Sequence, residues 1–392
     1  MKKVILSLIL AVCLILGTLA PAYAAKSDVL RFDENGEFVI LHLCDAQDGY
    51  PAKEKTITYI NYMLDIYEPD LVVLGGDNTV ATKETKDDAI AELVAPFVEK
   101  KVYFTLVFGN HDDEQGVDKE TLLKMYQKHG GKYCLAYDTV PSMSGTAVHN
   151  LPVYSSKDAT DIAFNVWMFD TGTYVSDENG NRLGYDSVRK DQIDWYKNTY
   201  AKLKKSQGHD VPSMAFQHMV VKEIDDVMFP AAYIDIPYLT ETYAGDRYSV
   251  FNPKTHTFLG HLFEPPSPGV YNHGEFDAMV ETGDVVAIFA GHDHNNSYEV
   301  EHKGIKIINT PGISHNAYGL EFVRGSRLIT VKEENPAEFT SDVITVNDLA
   351  AEHKDFADSI GITPSEAKAW IALGDFHLFL KLLSKGISWL IY

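Results

Sequence analysis

VFGNHDDE, residues 107–114, closes an apolar run that starts at Val102 and passes through Tyr103, Phe104 and Leu106 to Phe108. A glycine, an amide, an imidazole and three carboxylates follow at once. Such groups gain a fold little when packed against the end of a buried strand, because each must recover the hydrogen bonds it had in water. A metal site uses the same donors directly.

The same punctuation recurs along the chain. Phe38–Leu43 is followed by Asp45 and Gln47, and Leu71–Leu74 by Gly76, Asp77 and Asn78. Ser213–Phe216 is followed by Gln217 and His218, and Val285–Ala290 by Gly291, His292, Asp293 and His294. With Ile162–Phe169 and Ile305–Ile308 these runs have strand length and read as buried strands. Between them Thr56–Tyr67, Lys119–Lys128 and Lys190–Lys205 carry apolar residues at helical spacing. Strands alternating with helices predict an α/β core, and in such cores ligands gather outside the carboxyl ends of the strands.

The donors are imidazole, carboxylate and amide oxygen without thiolate, which suits Zn, Fe or Mn. They are too many for one catalytic ion and fit two ions sharing a bridging carboxylate, an arrangement that serves in-line phosphoryl displacement. Singly, Asp45 and Asp77 would read as strand-end caps, Asn110 as a turn residue and His218 as a core histidine. His292 and His294 straddle one residue and face the same side of an extended segment.

In this order the five segments resemble the calcineurin-like metallophosphoesterase superfamily, whose pattern runs D-x-H, G-D, G-N-H-D/E, H and G-H-x-H. The resemblance spans Phe38 to Val331. GYDSVRKDQIDWYKN (184–198), GDVVAIFAGHDHNN (283–296) and RGSRLITV (324–331) are similar to its purple-acid-phosphatase-like branch. The resemblance implies an α/β fold of two packed sheets flanked by helices, a four-layer αββα sandwich with the metals at one end. It places Asp45, Gln47, Asp77 and His294 on one metal, and Asp77, Asn110, His218 and His292 on the other. A hydroxide bridging the metals would attack phosphorus. His111 would be no ligand but would contact the phosphate beside Asn110 and act as general acid. Gln47 stands where the pattern usually has histidine. Val80 and Ala81 stand where Ser/Thr phosphatases carry aspartate and arginine and purple acid phosphatases carry tyrosine at the first of the two. Neither subfamily fits.

Asp112, Asp113 and Glu114 read as helix-start and surface acids, and His273 and His315 as candidates for the substrate side. Lys2 and Lys3 precede an apolar run from Val4 to Ala20, and Ala22-Tyr23-Ala24 fits a cleavage site, so residues 1–24 read as a secretory signal peptide cut after Ala24. That address is secreted, periplasmic or cell-surface. The net charge of −22 disfavours a nucleic acid polymer as partner, and a small phosphate ester is the expected substrate. Cys44 and Cys134 are too few for a disulfide framework.

The catalytic domain is expected over 25–340, with a Tyr- and Pro-rich, irregular insertion at 226–272. A helical extension is expected over 341–392, opened by the capping box Thr363-Pro364-Ser365-Glu366. The last stretch is too interrupted by charge to span a bilayer. Folding back on the core is its expected state, with a dimer contact or a membrane-surface helix as the alternatives. The sequence leaves the oligomeric state open. A phosphodiesterase acting on cyclic nucleotides or phospholipid headgroups, or a non-catalytic cell-surface binding protein, are the rival functions.

Overall fold

The computed structural model describes residues 30–230, 241–243, 247–251 and 258–376. The expected leader and much of the 226–272 insertion lie outside them. In chain order the first strands are β1 (Glu37–Leu43), β2 (Leu71–Gly75), β3 (Tyr103–Val107), β4 (His149–Tyr154), β5 (Ile162–Met168), β6 (Tyr174–Ser176), β7 (Arg182–Tyr185) and β8 (Ser213–Phe216). Next come β9 (Met228–Pro230), β10 (Glu241–Tyr243), β11 (Arg247–Phe251) and β12 (Phe258–Leu259). The last are β13 (Val285–Ala290), β14 (Glu299–His302), β15 (Ile305–Asn309), β16 (Gly325–Lys332) and β17 (Thr340–Thr345).

Two sheets form the centre. One has five strands in the order β17-β16-β1-β2-β3, and the other seven in the order β12-β14-β15-β13-β8-β5-β4. β1, β2 and β3 run parallel, as do β5, β8, β13 and β15. Their carboxyl ends therefore collect at one edge of the sandwich. The two-residue period of a strand sorts the side chains. Along β1, Phe38 and Ile40 enter the layer between the sheets, where they meet Val166, Met214 and Phe289 of the second sheet. Leu41 and Leu43 face outward and pack with Tyr59, Ile60 and Met63 of the helix Glu54–Tyr67. On the far side, the helices Lys190–Gln207 and Glu275–Thr282 cover the second sheet with Ile193, Tyr196, Phe276 and Met279. This is the helix–sheet–sheet–helix layering the resemblance implies.

Two expectations need correction. A boundary at 340 would cut β17, which pairs with β16 as an edge strand of the first sheet. The chain beyond it continues the same core through Val346, Leu349, Phe356 and Ile360. The 226–272 segment is not wholly irregular, since β9, β10 and β11 form a small antiparallel sheet within it. Residues 364–376 are helical, and the capping box at its start is formed: Thr363 N–H donates to Glu366 Oε2 at 2.7 Å, and Glu366 N–H donates to Thr363 Oγ1 at 3.2 Å. Among the described residues no helix is long and apolar enough to cross a membrane.

Candidate metal centre

Each strand of the parallel cores ends in a sharp turn. Asp45, Gln47, Asp77 and His292 all adopt left-handed backbone angles, with φ of 54°, 41°, 50° and 69°. Outside glycine that conformation costs roughly 1–2 kcal/mol per residue, and it persists where the surroundings over-determine it. Here the turns are sewn to one another across the strands. Asp45 N–H donates to the Gly76 carbonyl at 3.1 Å, Gln47 N–H to the Asp77 carbonyl at 2.9 Å, and Gly291 N–H to the His218 carbonyl at 3.0 Å.

Gly109 makes the close approach feasible. A Cβ placed there would lie 2.1 Å from Asp77 Oδ1 and 2.5 Å from the Asp77 nitrogen. Only glycine lets β3's exit run against the Asp77 carboxylate.

The structure brings all the expected residues to one place. Asp77, His218 and His292 are buried and offer ligand atoms that all lie within 4.8 Å of one another. His218 Nε2 is 3.2 Å from Asp77 Oδ2 and 3.3 Å from His292 Nδ1. His294 Nε2 is 3.4 Å from Asp45 Oδ1, while Asp45 Oδ2 accepts the His292 N–H at 3.0 Å. Asp77 Oδ1 accepts the His111 N–H at 2.7 Å. Gln47 arrives as a donor: its Nε2 gives a hydrogen bond to Asp77 Oδ2 at 2.9 Å. Half a turn of the amide would present its oxygen instead.

Several features fit this set to cations. His218 Nδ1 donates to the Gly75 carbonyl at 2.9 Å, and His294 Nδ1 to the Tyr318 carbonyl at 2.9 Å. Each bond commits one ring nitrogen and leaves the Nε2 lone pair facing the carboxylates, the arrangement that metal-binding histidines use. Asp45 Oδ1 and Asn110 Oδ1 are buried acceptors without a hydrogen-bond partner. A lone unpartnered acceptor costs about 1–3 kcal/mol, and two of them in one site call for a cation. Electrostatics agree. Burial works against the ionised Asp77 carboxyl, yet His218 and His111 hold it well below the usual carboxylate range. Burial also opposes a charge on His218, but Asp77 outweighs it and pushes the imidazole up to about 10. Burial and the neighbouring His218 hold His292 down to about 3. In the metal-free protein a proton on His218 thus supplies the positive charge that the carboxylates demand.

His111 sits at the rim, its side chain 37% exposed, with Nε2 4.0 Å from Asp77 Oδ2. Its neighbours differ from expectation. Asp112 is fully buried rather than a surface acid, and it ties the loops after β2 and β3 together by accepting from Gly109, Asn78 and Thr79 N–H groups. Burial, then the Asp77 charge, raises its pKa. Glu114 turns back onto His111 and accepts from its Nδ1 at 2.5 Å.

The sequence reading also missed an aromatic wall. Tyr185 lies edge-on to His292 with ring centroids 4.3 Å apart, and Tyr318 stacks on His294 at 4.2 Å. The β6–β7 hairpin adds Tyr174, whose hydroxyl accepts from Asn110 Nδ2 at 2.7 Å. The only sequence signal was Tyr185, within the segment 184–198 quoted above. Of the two candidate histidines, His273 is exposed beside Tyr271, away from the ligands named here, and lines a small pocket with Glu223 and Glu275. His315 is half-buried, and burial lowers it to about 4. Its neighbour Asn316 donates to the Gln47 carbonyl at 2.9 Å, so this loop does border the site.

Comparison with known proteins bears on the family of the chain. A protein of Arabidopsis thaliana named "Probable inactive purple acid phosphatase 14" is 24% identical over 355 residues, covering 81% of this chain and 82% of that one. "Phosphatase DCR2" of Saccharomyces cerevisiae is 26% identical over 293 residues, 69% of this chain and 46% of that one. A crystal structure of a dimetal phosphatase from Danio rerio aligns over 79% of this chain and 98% of its own, with a TM-score of 0.45 and 12% identity. The sequence model described as calcineurin-like phosphoesterase matches residues 38–296, well over half of the chain. The chain belongs to the calcineurin-like phosphoesterase family.

Proposed function

We propose that this chain is an exported, metal-dependent phosphoesterase that hydrolyses small phosphate esters. The observation that carries the proposal is the pair of orphaned buried oxygens, Asp45 Oδ1 and Asn110 Oδ1, on residues next to the buried cluster of Asp77, His218 and His292. Asp45, Gln47, Asp77 and His294 would hold one ion, and Asp77, Asn110, His218 and His292 the other. Bound there, such ions would supply charge neutralisation at the phosphoryl oxygens and activation of a water nucleophile. The chain's own contribution is proton management. His111 turns Nε2 toward Asp77 and is exposed enough to meet an ester arriving from solvent. A departing alkoxide needs a proton, and general acid catalysis of that kind contributes roughly 10²–10⁴-fold. The aromatic wall of Tyr174, Tyr185 and Tyr318 narrows the approach and supports a small ester over a polymer.

The non-catalytic reading gains weight from the word "inactive" in the names of three relatives. Against it stand His111 and a complete donor set. The deciding experiment loads purified protein separately with Mn, Fe and Zn and measures hydrolysis of aryl monoesters, alkyl monoesters and diesters. Metal-dependent turnover that Asp77→Asn abolishes while the protein stays folded is the expected result. Bound metal without turnover of any ester would establish the binding-protein reading, and a preference for diesters would favour the phosphodiesterase. Export is tested by N-terminal sequencing of the protein from its native cell, with a start at Ala25 expected.

A further inference from the structure

We propose that Glu114 is the positioning residue of this site: it fixes the His111 ring through Nδ1, and through Tyr174 it fixes the amide of Asn110. The role rests on the phosphoesterase reading and deepens it.

His111 lies on a loop with its ring partly in solvent, so nothing in its packing alone decides which nitrogen faces the ligands. Glu114 decides it. The 2.5 Å contact between Nδ1 and Glu114 Oε2 is in the range of a charge-assisted bond. The opposite nitrogen then points inward, 4.0 Å from Asp77 Oδ2. That gap is too long for a hydrogen bond, so in the imidazolium form, which carries a proton on both nitrogens, the inward Nε2–H stays free for an incoming oxygen. The other carboxylate oxygen of Glu114 accepts the Tyr174 hydroxyl proton at 2.9 Å, and the Tyr174 oxygen in turn accepts from Asn110 Nδ2 at 2.7 Å. An amide has one donor end and one acceptor end. Holding Nδ2 on Tyr174 therefore turns Oδ1, the buried atom without a partner, away from the relay.

Adjacent side chains with different tasks, Asn110 and His111, are thus oriented by one carboxylate. The Arg182 guanidinium lies 3.4 Å from the Tyr174 ring centroid and braces that side of the relay. In turnover, a water oxygen forms the new bond to phosphorus as the bond to the leaving oxygen breaks. The Nε2 proton passes to the departing oxygen, which leaves as the alcohol. A proton released by the attacking water returns to the ring through solvent.

The test uses Glu114→Gln and Tyr174→Phe in the metal-loaded protein, with a series of phosphate esters of rising leaving-group pKa. Glu114→Gln should lower kcat for alkyl esters about 10–100-fold and for p-nitrophenyl phosphate no more than about 3-fold, with KM and metal content unchanged. Adding Glu114→Gln to His111→Asn should cost no more than Tyr174→Phe does, because only the relay to Asn110 is then left for Glu114 to hold. Tyr174→Phe should lose roughly 3–10-fold. A second readout needs no turnover: long-range ¹H–¹⁵N spectra of the metal-free protein should show neutral His111 protonated on Nδ1, shifting toward Nε2 in Glu114→Gln. A neutral wild-type His111 ring whose one proton sits on Nε2, or equal losses across all leaving groups, overturns the assignment. Wild-type protein that holds metal and cleaves no ester refutes the phosphoesterase reading instead, and the ring spectra then decide the orientation by themselves.

Discussion

Replacing Gly109 with alanine should disarm the metal centre while changing no ligand. The added Cβ would lie 2.1 Å from Asp77 Oδ1, 2.5 Å from the Asp77 nitrogen and 2.7 Å from its Cγ. Packed carbon and oxygen atoms need more than 3 Å, so Asp77 or β3's exit must move by roughly 1 Å. Neither has slack. The Asp77 backbone carbonyl accepts from Gln47 N–H at 2.9 Å, and its Oδ1 from His111 N–H at 2.7 Å. Metal–ligand distances tolerate only about 0.2 Å, so if Asp77 is shared by two ions as proposed, its displacement should weaken both, by roughly 10–100-fold or more in affinity. Overpacking adds a stability loss of about 1–3 kcal/mol. Gly49→Ala is the control, since a Cβ there meets nothing within 4 Å. Titration calorimetry with Mn or Zn, followed by metal analysis after dialysis, reads the effect. A Gly109→Ala protein that binds two ions with wild-type affinity would refute the claim that this glycine exists for the Asp77 contact.

Three further outcomes are open to direct measurement. Burial, then the Glu223 charge, pushes Glu275 up to about 8 from an ordinary 4.5; a raised carboxyl stabilises fully below the unfolded pKa and loses that contribution as pH rises through 8, so Glu275→Gln should gain on the order of 2 kcal/mol relative to wild type between pH 5 and pH 9. Parallel pH–melting curves for the two proteins would contradict this. Lys86 is buried and donates to the Thr79 and Asp112 carbonyls at 2.9 and 3.0 Å, so Lys86→Met should cost about 2–4 kcal/mol in urea unfolding by leaving both unpaired; an unchanged midpoint would show that water replaces the ammonium freely. Position 80 is valine and the Tyr174 hydroxyl is committed to Asn110 and Glu114, so iron-loaded protein should show no visible tyrosinate-to-iron band, and such a band would place a tyrosine oxygen on the metal.

The parts of the site that could be read from sequence are those where chemistry follows a buried strand without a gap. Ser213–Phe216 and Val285–Ala290 coincide with β8 and β13, and the other expected strands shift by a residue or so at their ends. Parallel strands covered on both faces appear as continuous apolar runs, and the polar residue that ends each run is the one delivered to the edge. The illegible parts have equally physical causes. β17 reads TSDVIT, because an edge strand open to water needs no apolar face, so its place in the sheet looked like the start of a tail. The helix Lys86–Lys100 carries Pro96 in its interior, which masks its period. The carbonyls of Gly75 and Tyr318, which set the tautomers of His218 and His294, are main-chain atoms that any residue would supply. Glu114 was hidden by its company. A run of three acids normally marks a solvated surface, yet here Asp112 points into the protein to tie two loops, and Glu114 turns back onto the imidazole three residues before it. Residue type alone could not separate them. What separates them is the left-handed turn at Asp77, which draws Asp77 Oδ1 onto the His111 N–H and so fixes how the 109–114 loop leaves β3. β3 thus leads into Asn110, His111, Asp112 and Glu114, to which the proposed reading gives the tasks of ligand, proton donor, loop clamp and positioning carboxylate, and it is the backbone path that separates them.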